Sequence, residues 1–300
     1  MDKTGGDKKP AAASVRHDTW GIMEKIASLA YATHDGTELI GDLYLPDGPG
    51  PHPAVIAVHG GGWQAGDRQS YRHVGPLLTD AGIALFSIEY RLATPGRPSY
   101  PAAVGDVMAA VRFVRANAAK FRIDPARLGL MGDSAGAHLA ALVALAGATP
   151  RFATLHADDP TAGVSCAVKA VVGIYGVYDM AAQWNHDALC RPADQITEKF
   201  LGRALPADRA VYFESSPLSY ATTDNAQIAF QLAVGTEDDV VDRASQTDAF
   251  LLALKQAKIY ARPVVIQGAG HFWAAWPLDE TDSPMARYAP GLLRFLAEKL

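Results

Sequence analysis

Short apolar runs rich in β-branched residues recur along this chain, and most are followed by a longer stretch with helical spacing. Ala54–Val58, Ile83–Ile88, Leu128–Met131, Ala170–Ile174, Ile228–Val234 and Ala261–Ile266 read as strands buried on both faces. The 3.6-residue period predicts helices over Ser70–Ala81, Tyr100–Ala118, Ala135–Gly147, Ala244–Ala257 and Pro284–Glu298. Repeated strand–helix units imply an α/β fold, with a mostly parallel central sheet covered by helices on both faces. Ahead of them, Lys25–Thr33 and Thr37–Leu45 read as a hairpin turned by His34-Asp35-Gly36, and Pro46–Pro53 as a loop.

Two segments break the rhythm. Ala148–Val168 reads as a polar loop. Val177–Gln227 mixes helix and loop and carries Trp184, Phe200, Tyr212, Phe213 and Tyr220. An insertion of that size after a sheet strand is usually functional, so a small cap is expected there. Residues 1–17 are small and polar and read as a disordered tail, leaving 18–300 as one domain.

Composition narrows the function classes. The chain has 300 residues, 49% hydrophobic and 20% charged, with a formal net charge of −5 and no clustered basic stretch. A nucleic-acid partner would leave such a stretch, so none is expected. Nothing approaches the 18 apolar residues of a membrane span, and the first residues lack the apolar core of a secretory signal. A cytoplasmic location with no membrane partner is the resulting expectation. Cys166 and Cys190 do not make a disulfide framework and read as free thiols, with a single bridge between them the alternative. No H-E-x-x-H or paired-cysteine pattern occurs, so neither a metal nor a cofactor is expected. A homodimer is left open.

The chemistry concentrates in a few short stretches. Gly132-Asp133-Ser134-Ala135-Gly136 fits G-x-S-x-G, a weak pattern alone. Here it follows a strand and opens a helix, as a nucleophile elbow requires. Small residues must stand two positions either side of the serine in so tight a turn, and Gly132 and Gly136 do. His59-Gly60-Gly61-Gly62-Trp63 follows the Ala54–Val58 strand. Its glycines leave backbone N–H groups free to face a substrate oxygen, so Gly61, Gly62 and Ala135 are the expected oxyanion donors.

A nucleophilic serine needs a histidine base, and the base needs an orienting carboxylate. In this fold class the acid follows the serine and the histidine comes last. His271, in Gly268-Ala269-Gly270-His271-Phe272-Trp273, is the loop histidine that comes late enough. His59 reads as a loop brace and His138, one turn past Ser134, as packing. The acid lies among Glu237, Asp238, Asp239 and Asp242.

Together these stretches resemble the HGGG-containing esterases of the α/β-hydrolase superfamily, in the hormone-sensitive-lipase-like and feruloyl- or acetyl-esterase-like groups. His59–Trp63, Glu89-Tyr90-Arg91-Leu92, Gly132–Leu139, Gly235–Asp238 and His271 carry the likeness. It implies an acid three residues after Gly235, hence Asp238, beside Ser134 and His271. Trp63 after the glycines is similar to the pattern of kynurenine formamidase-like hydrolases, and Ala137 stands where many relatives have a second glycine. The implied activity is hydrolysis of short-chain or compact aromatic carboxylic esters, a small-molecule substrate class. The alternatives are an amidase or arylformamidase on the same residues and a non-catalytic receptor of small ligands. Trp63, Phe272 and Trp273 are the expected substrate-binding residues.

Overall fold

The computed structural model describes Val15–Arg16 and residues 24–300 other than Thr281. Most of the expected tail therefore lies outside the described residues. Its Val15–Arg16 pair does not: it forms a two-residue strand, β1, antiparallel to Glu24–His34 (β2). The remaining strands are β3 (Thr37–Leu45), β4 (His52–Val58), β5 (Ala84–Ile88), β6 (Ile123–Asp133), β7 (Ala170–Ile174), β8 (Ala229–Gly235) and β9 (Tyr260–Ile266). They make one sheet in the order β1-β2-β3-β5-β4-β6-β7-β8-β9. Pairings from β1 to β5 are antiparallel, and those from β5 through β9 are parallel.

The helices are α1 (Val74–Asp80), α2 (Ala102–Ala116), α3 (Ala135–Ala146), α4 (Pro150–Ala153), α5 (Met180–Cys190), α6 (Ile196–Leu201), α7 (Arg209–Ser215), α8 (Ala249–Gln256) and α9 (Pro284–Lys299). The pleat of β4 sorts its residues between two cores. Ala54, Ile56 and Val58 face a cluster with Val107 and Val111 of α2, Leu139 and Leu142 of α3, and Phe250 of α8. Val55 and Ala57 face Val74 and Leu78 of α1 and Tyr288 and Leu292 of α9. A strand buried on both faces needs apolar residues at every position, hence its unbroken run.

Some boundaries move for local reasons. The helix expected over Ser70–Ala81 splits into a 3-10 turn, Arg68–Tyr71, and α1. Pro76 has no N–H to donate and is accommodated at least cost in a first helical turn, which fits the start of α1 at Val74. The expected polar loop after α3 contains α4, whose Phe152 is fully buried against the core, so polarity of the stretch as a whole hid one anchor. The insertion between β7 and β8 holds α5, α6 and α7, and its Phe200 and Tyr212 are also buried while Phe213 is exposed.

Candidate active site

The C-terminal ends of the parallel strands bring the candidate residues to one edge of the sheet, where α/β folds build their sites. His59 follows β4, Ser134 follows β6, Tyr175 follows β7, Asp238 follows β8 and His271 follows β9.

Ser134 sits between β6 and α3 at φ 51°, ψ −119°, a backbone state that L residues rarely hold. The surrounding structure enforces it. The Ser134 N–H donates to the Ile174 carbonyl at 2.8 Å, and the His138 N–H donates to the Ser134 carbonyl at 3.1 Å. A Cβ on Gly136 would overlap the Val58 carbonyl oxygen, and one on Gly132 would overlap the Gly136 backbone. The two glycines are thus needed for close approach.

Ser134 Oγ lies 3.0 Å from His271 Nε2, and His271 Nδ1 lies 2.7 Å from Asp238 Oδ2. Both the histidine and the aspartate side chains are 1% exposed. The other carboxylate oxygen of Asp238 accepts the N–H groups of Val240 and Val241, each at 3.0 Å, which holds the carboxylate plane in place. Of the four neighbouring acids, this one reaches the histidine. Asp239 and Glu237 are exposed, and Asp242 is bonded to Ser245 instead.

Gly61 and Gly62 have φ values of 106° and 59°, and a Cβ on Gly61 would overlap the Ala65 carbonyl. The loop is braced from behind. His59 is buried with Nδ1 2.7 Å from the Gly60 carbonyl, its ring stacks on Tyr90, and the Tyr90 hydroxyl donates to the His59 carbonyl at 3.0 Å. Burial lowers the His59 pKa despite the pull of that carbonyl and of nearby acids, consistent with a neutral brace.

The aromatic residues divide. Trp63 is 0% exposed, stacked on Phe200, and its Nε1–H donates to His138 Nδ1 at 3.1 Å. Trp273 is 1% exposed and packs edge-on against Tyr175 and Tyr288. Neither offers side-chain surface for direct contact with a substrate; an aromatic next to a motif glycine or histidine can turn inward just as well. Phe272 is 64% exposed, with its ring 4.5 Å from the His271 ring.

Sequence reasoning passed over Asp133, Tyr71 and Tyr175. Asp133 fills an unspecified position of G-x-S-x-G, yet its carboxylate accepts the Gly60 N–H and the Tyr71 hydroxyl. Tyr175 stands at the end of a parallel strand, the same rule that singled out His271. Apart from these residues, His34, Asp106 and His156 bring potential metal-ligand atoms within 4.8 Å of one another. The Arg91 guanidinium already occupies that cluster, donating to Asp106 at 2.7 Å and to His156 at 2.9 Å, so a metal ion would have to displace it.

A serine on a strained strand-to-helix turn, at the carboxyl edge of a mostly parallel sheet covered on both sides, defines the α/β-hydrolase fold. The BD-FAE family model matches residues 41–254, and the chain belongs to that family. It is 30% identical over 260 residues to ethyl acetate hydrolase of Pseudomonas putida, covering 82% of this chain and 74% of the relative. It is 31% identical over 224 residues to esterase LipC of Mycobacterium tuberculosis, covering 74% of this chain and 53% of LipC. The chain thus spans about half the length of several curated relatives that it matches. In fold it is similar to the native esterase Est2 of Thermogutta terrifontis, with a TM-score of 0.72 at 22% identity over 95% of this chain and 92% of that one. Among the described residues, no helix is long and apolar enough to cross a membrane.

Proposed function

We propose that the protein is a serine esterase that works through a covalent acyl-enzyme on Ser134. The observation that carries this reading is the unbroken line of hydrogen-bond contacts from Ser134 Oγ through His271 to Asp238. With Nδ1–H donated to Asp238, the neutral His271 presents Nε2 as an acceptor. Ser134 Oγ attacks the ester carbonyl carbon as Nε2 takes its proton. The carbonyl oxygen becomes an oxyanion, held by the N–H groups of Gly61, Gly62 and Ala135. The first residue of α3 has no intrahelical partner for its N–H, which leaves Ala135 free to donate. Collapse expels the alcohol with the proton from His271. Water then repeats the sequence on the acyl-enzyme and releases the acid.

The substrate class we assign is short-chain or compact aromatic carboxylic esters, with Phe272 at the mouth of the site as a contact. The likeness to an ethyl acetate hydrolase supports the short acyl preference. The insertion over 177–227 serves as a small cap. Ile196 of α6 lies 3.6 Å from the position of a Cβ on Gly62, and His186 of α5 has Nε2 3.0 Å from the Asp239 carbonyl. Those contacts set the insertion against both the oxyanion loop and the acid loop.

The test is turnover of p-nitrophenyl acetate and butyrate beside N-formylkynurenine, with fluorophosphonate labelling followed by peptide mapping. The expected result is ester turnover, label on Ser134 and an inactive but folded Ser134→Ala variant. Label on another residue, or a Ser134→Ala protein with wild-type turnover, overturns the reading. Faster turnover of the formamide reassigns the substrate class to arylformamides.

A further inference from the structure

Asp133 is bonded to two separate parts of the site and is covalently joined to a third. Its Oδ1 accepts the Gly60 N–H at 3.0 Å and the Tyr71 hydroxyl at 2.8 Å. Its Oδ2 lies 3.4 Å from the Tyr175 hydroxyl. That hydroxyl in turn accepts the Ala274 N–H at 3.0 Å, in the loop that carries His271. The Tyr175 ring lies 4.3 Å from the His271 ring. A Cβ on Gly60 would sit 3.1 Å from Cγ of Asp133, so the loop also packs directly on this side chain.

Gly60 immediately precedes the oxyanion glycines, Asp133 immediately precedes the nucleophile, and Ala274 follows the base by three residues. We propose that Asp133 is a positioning residue that sets the spacing among Ser134, the Gly61–Gly62 donors and His271. It acts through those groups and touches no substrate. This proposal rests on the esterase reading.

The residue type follows from the donors. Three of them converge on one side chain, and only a carboxylate offers acceptor sites on both oxygens. An asparagine keeps one acceptor oxygen, enough for Gly60 and Tyr71, and turns an NH₂ toward Tyr175. Alanine leaves the Gly60 N–H without a partner and opens space behind the loop. Burial pushes the Asp133 carboxyl above the ordinary carboxylate value, against the hydrogen bonds from Tyr71 and the Gly60 N–H. A group held at that cost, bonded at once to the glycine loop, to Tyr71 and to Tyr175, fits an organising role.

The experiment compares D133A, D133N and Y71F with wild type on p-nitrophenyl butyrate, and measures inhibition by a trifluoromethyl ketone that forms a tetrahedral adduct. D133A is expected to lose about 10²-fold in kcat with little change in KM, the scale of a small misplacement of reacting groups. Ketone affinity should fall in parallel with kcat/KM, because the adduct uses the same donors as the transition state. D133N should recover most of the loss. Y71F, which removes one donor to the same oxygen, should lose roughly five-fold in kcat. If D133A does not fold, D133N and Y71F decide. Wild-type kcat in folded D133A or in Y71F overturns the proposal, as does D133N falling as far as D133A, or unchanged ketone affinity. Fluorophosphonate labelling of Ser134 in the wild type separates the two ideas. Its absence sinks the esterase reading, whereas labelled wild type with an indifferent Asp133 sinks only the positioning role.

Discussion

The Trp63 indole N–H donates to His138 Nδ1 across 3.1 Å, and His138 Nε2 lies 2.8 Å from the Ser215 carbonyl. The first bond requires Nδ1 to be an acceptor and the second requires Nε2 to carry the proton, so the imidazole is neutral in one tautomer. The tryptophan after Gly61 and Gly62 thereby ties that loop to α3 and to the last residue of α7. It does so from inside the core.

Trp63→Phe should therefore act on stability rather than on substrate binding. It keeps most of the stacking with Phe200 but leaves His138 Nδ1 buried without a partner, a cost of about 1–3 kcal/mol. Urea unfolding should show that loss, while KM for a short ester stays near the wild-type value. A large rise in KM with unchanged stability would return Trp63 to the substrate pocket.

Two buried histidines should bend the pH dependence of stability in opposite directions. Burial pushes the His138 imidazole down to about 4, against the pull of the Ser215 carbonyl. The unfolded chain takes up its proton near about 6.5, so this stabilisation is present above that value and drains away as the pH falls toward 4. Burial also opposes protonation of His34, but its bonds to Asp106 at 2.6 Å and Asp159 at 2.9 Å outweigh burial and raise its pKa. Stabilisation from His34 is therefore complete below about 6.5 and is lost as the pH rises through its higher folded value. Asp106 is shifted the other way: burial raises its pKa, yet His34 and Arg91 overcome that and lower it. Its contribution is present above the ordinary carboxylate range and is lost in acid. Unfolding of His34→Ala against wild type should show a larger deficit at about pH 6 than at about pH 9. Equal deficits would mean that His34 is neutral in the fold.

Asp238→Asn should cost far more activity than Asp239→Asn. An amide at position 238 presents the wrong hydrogen-bonding group to His271 Nδ1, a change worth on the order of 10⁴ in kcat in a serine–histidine–aspartate site. Asp239 is exposed, and its side chain takes no part in the contacts at His271. Steady-state kinetics on one ester decides the order, and the reverse ranking would reassign the acid.

Acyl length should matter in a bounded way. Each added methylene gains about 0.8 kcal/mol only while it stays inside a confined pocket. The 177–227 insertion mixes its aromatics with Asn185, His186, Asp187, Arg191, Asp194, Glu198 and Lys199 rather than presenting a continuous apolar lid. The kcat/KM of p-nitrophenyl esters should peak between acetyl and hexanoyl. A maximum at dodecanoyl or beyond, or a jump above the micellar threshold, would show the insertion to be a lipase lid.

The sequence by itself determined the parallel core and the two glycine-bearing loops, because each is written in contiguous residues. Val55 and Ile56 are apolar side by side since β4 is covered on both faces, and Gly132 and Gly136 flank Ser134 since no Cβ fits there. It also put His271 and the acids after Gly235 at strand ends, where loops of such a sheet converge. It could not choose among Glu237, Asp238, Asp239 and Asp242 from the residues themselves, because an irregular turn has no period to say which side chain points inward. Nor could it tell that Trp63 and Trp273 face the core while Phe272 faces solvent. The Gly60–Asp133 bond joins residues 73 apart, and the Ser134–His271 contact joins residues 137 apart. Such pairs meet only when β4, β6 and β9 take their places in one sheet. The tertiary structure alone decided which of the candidate groups touch.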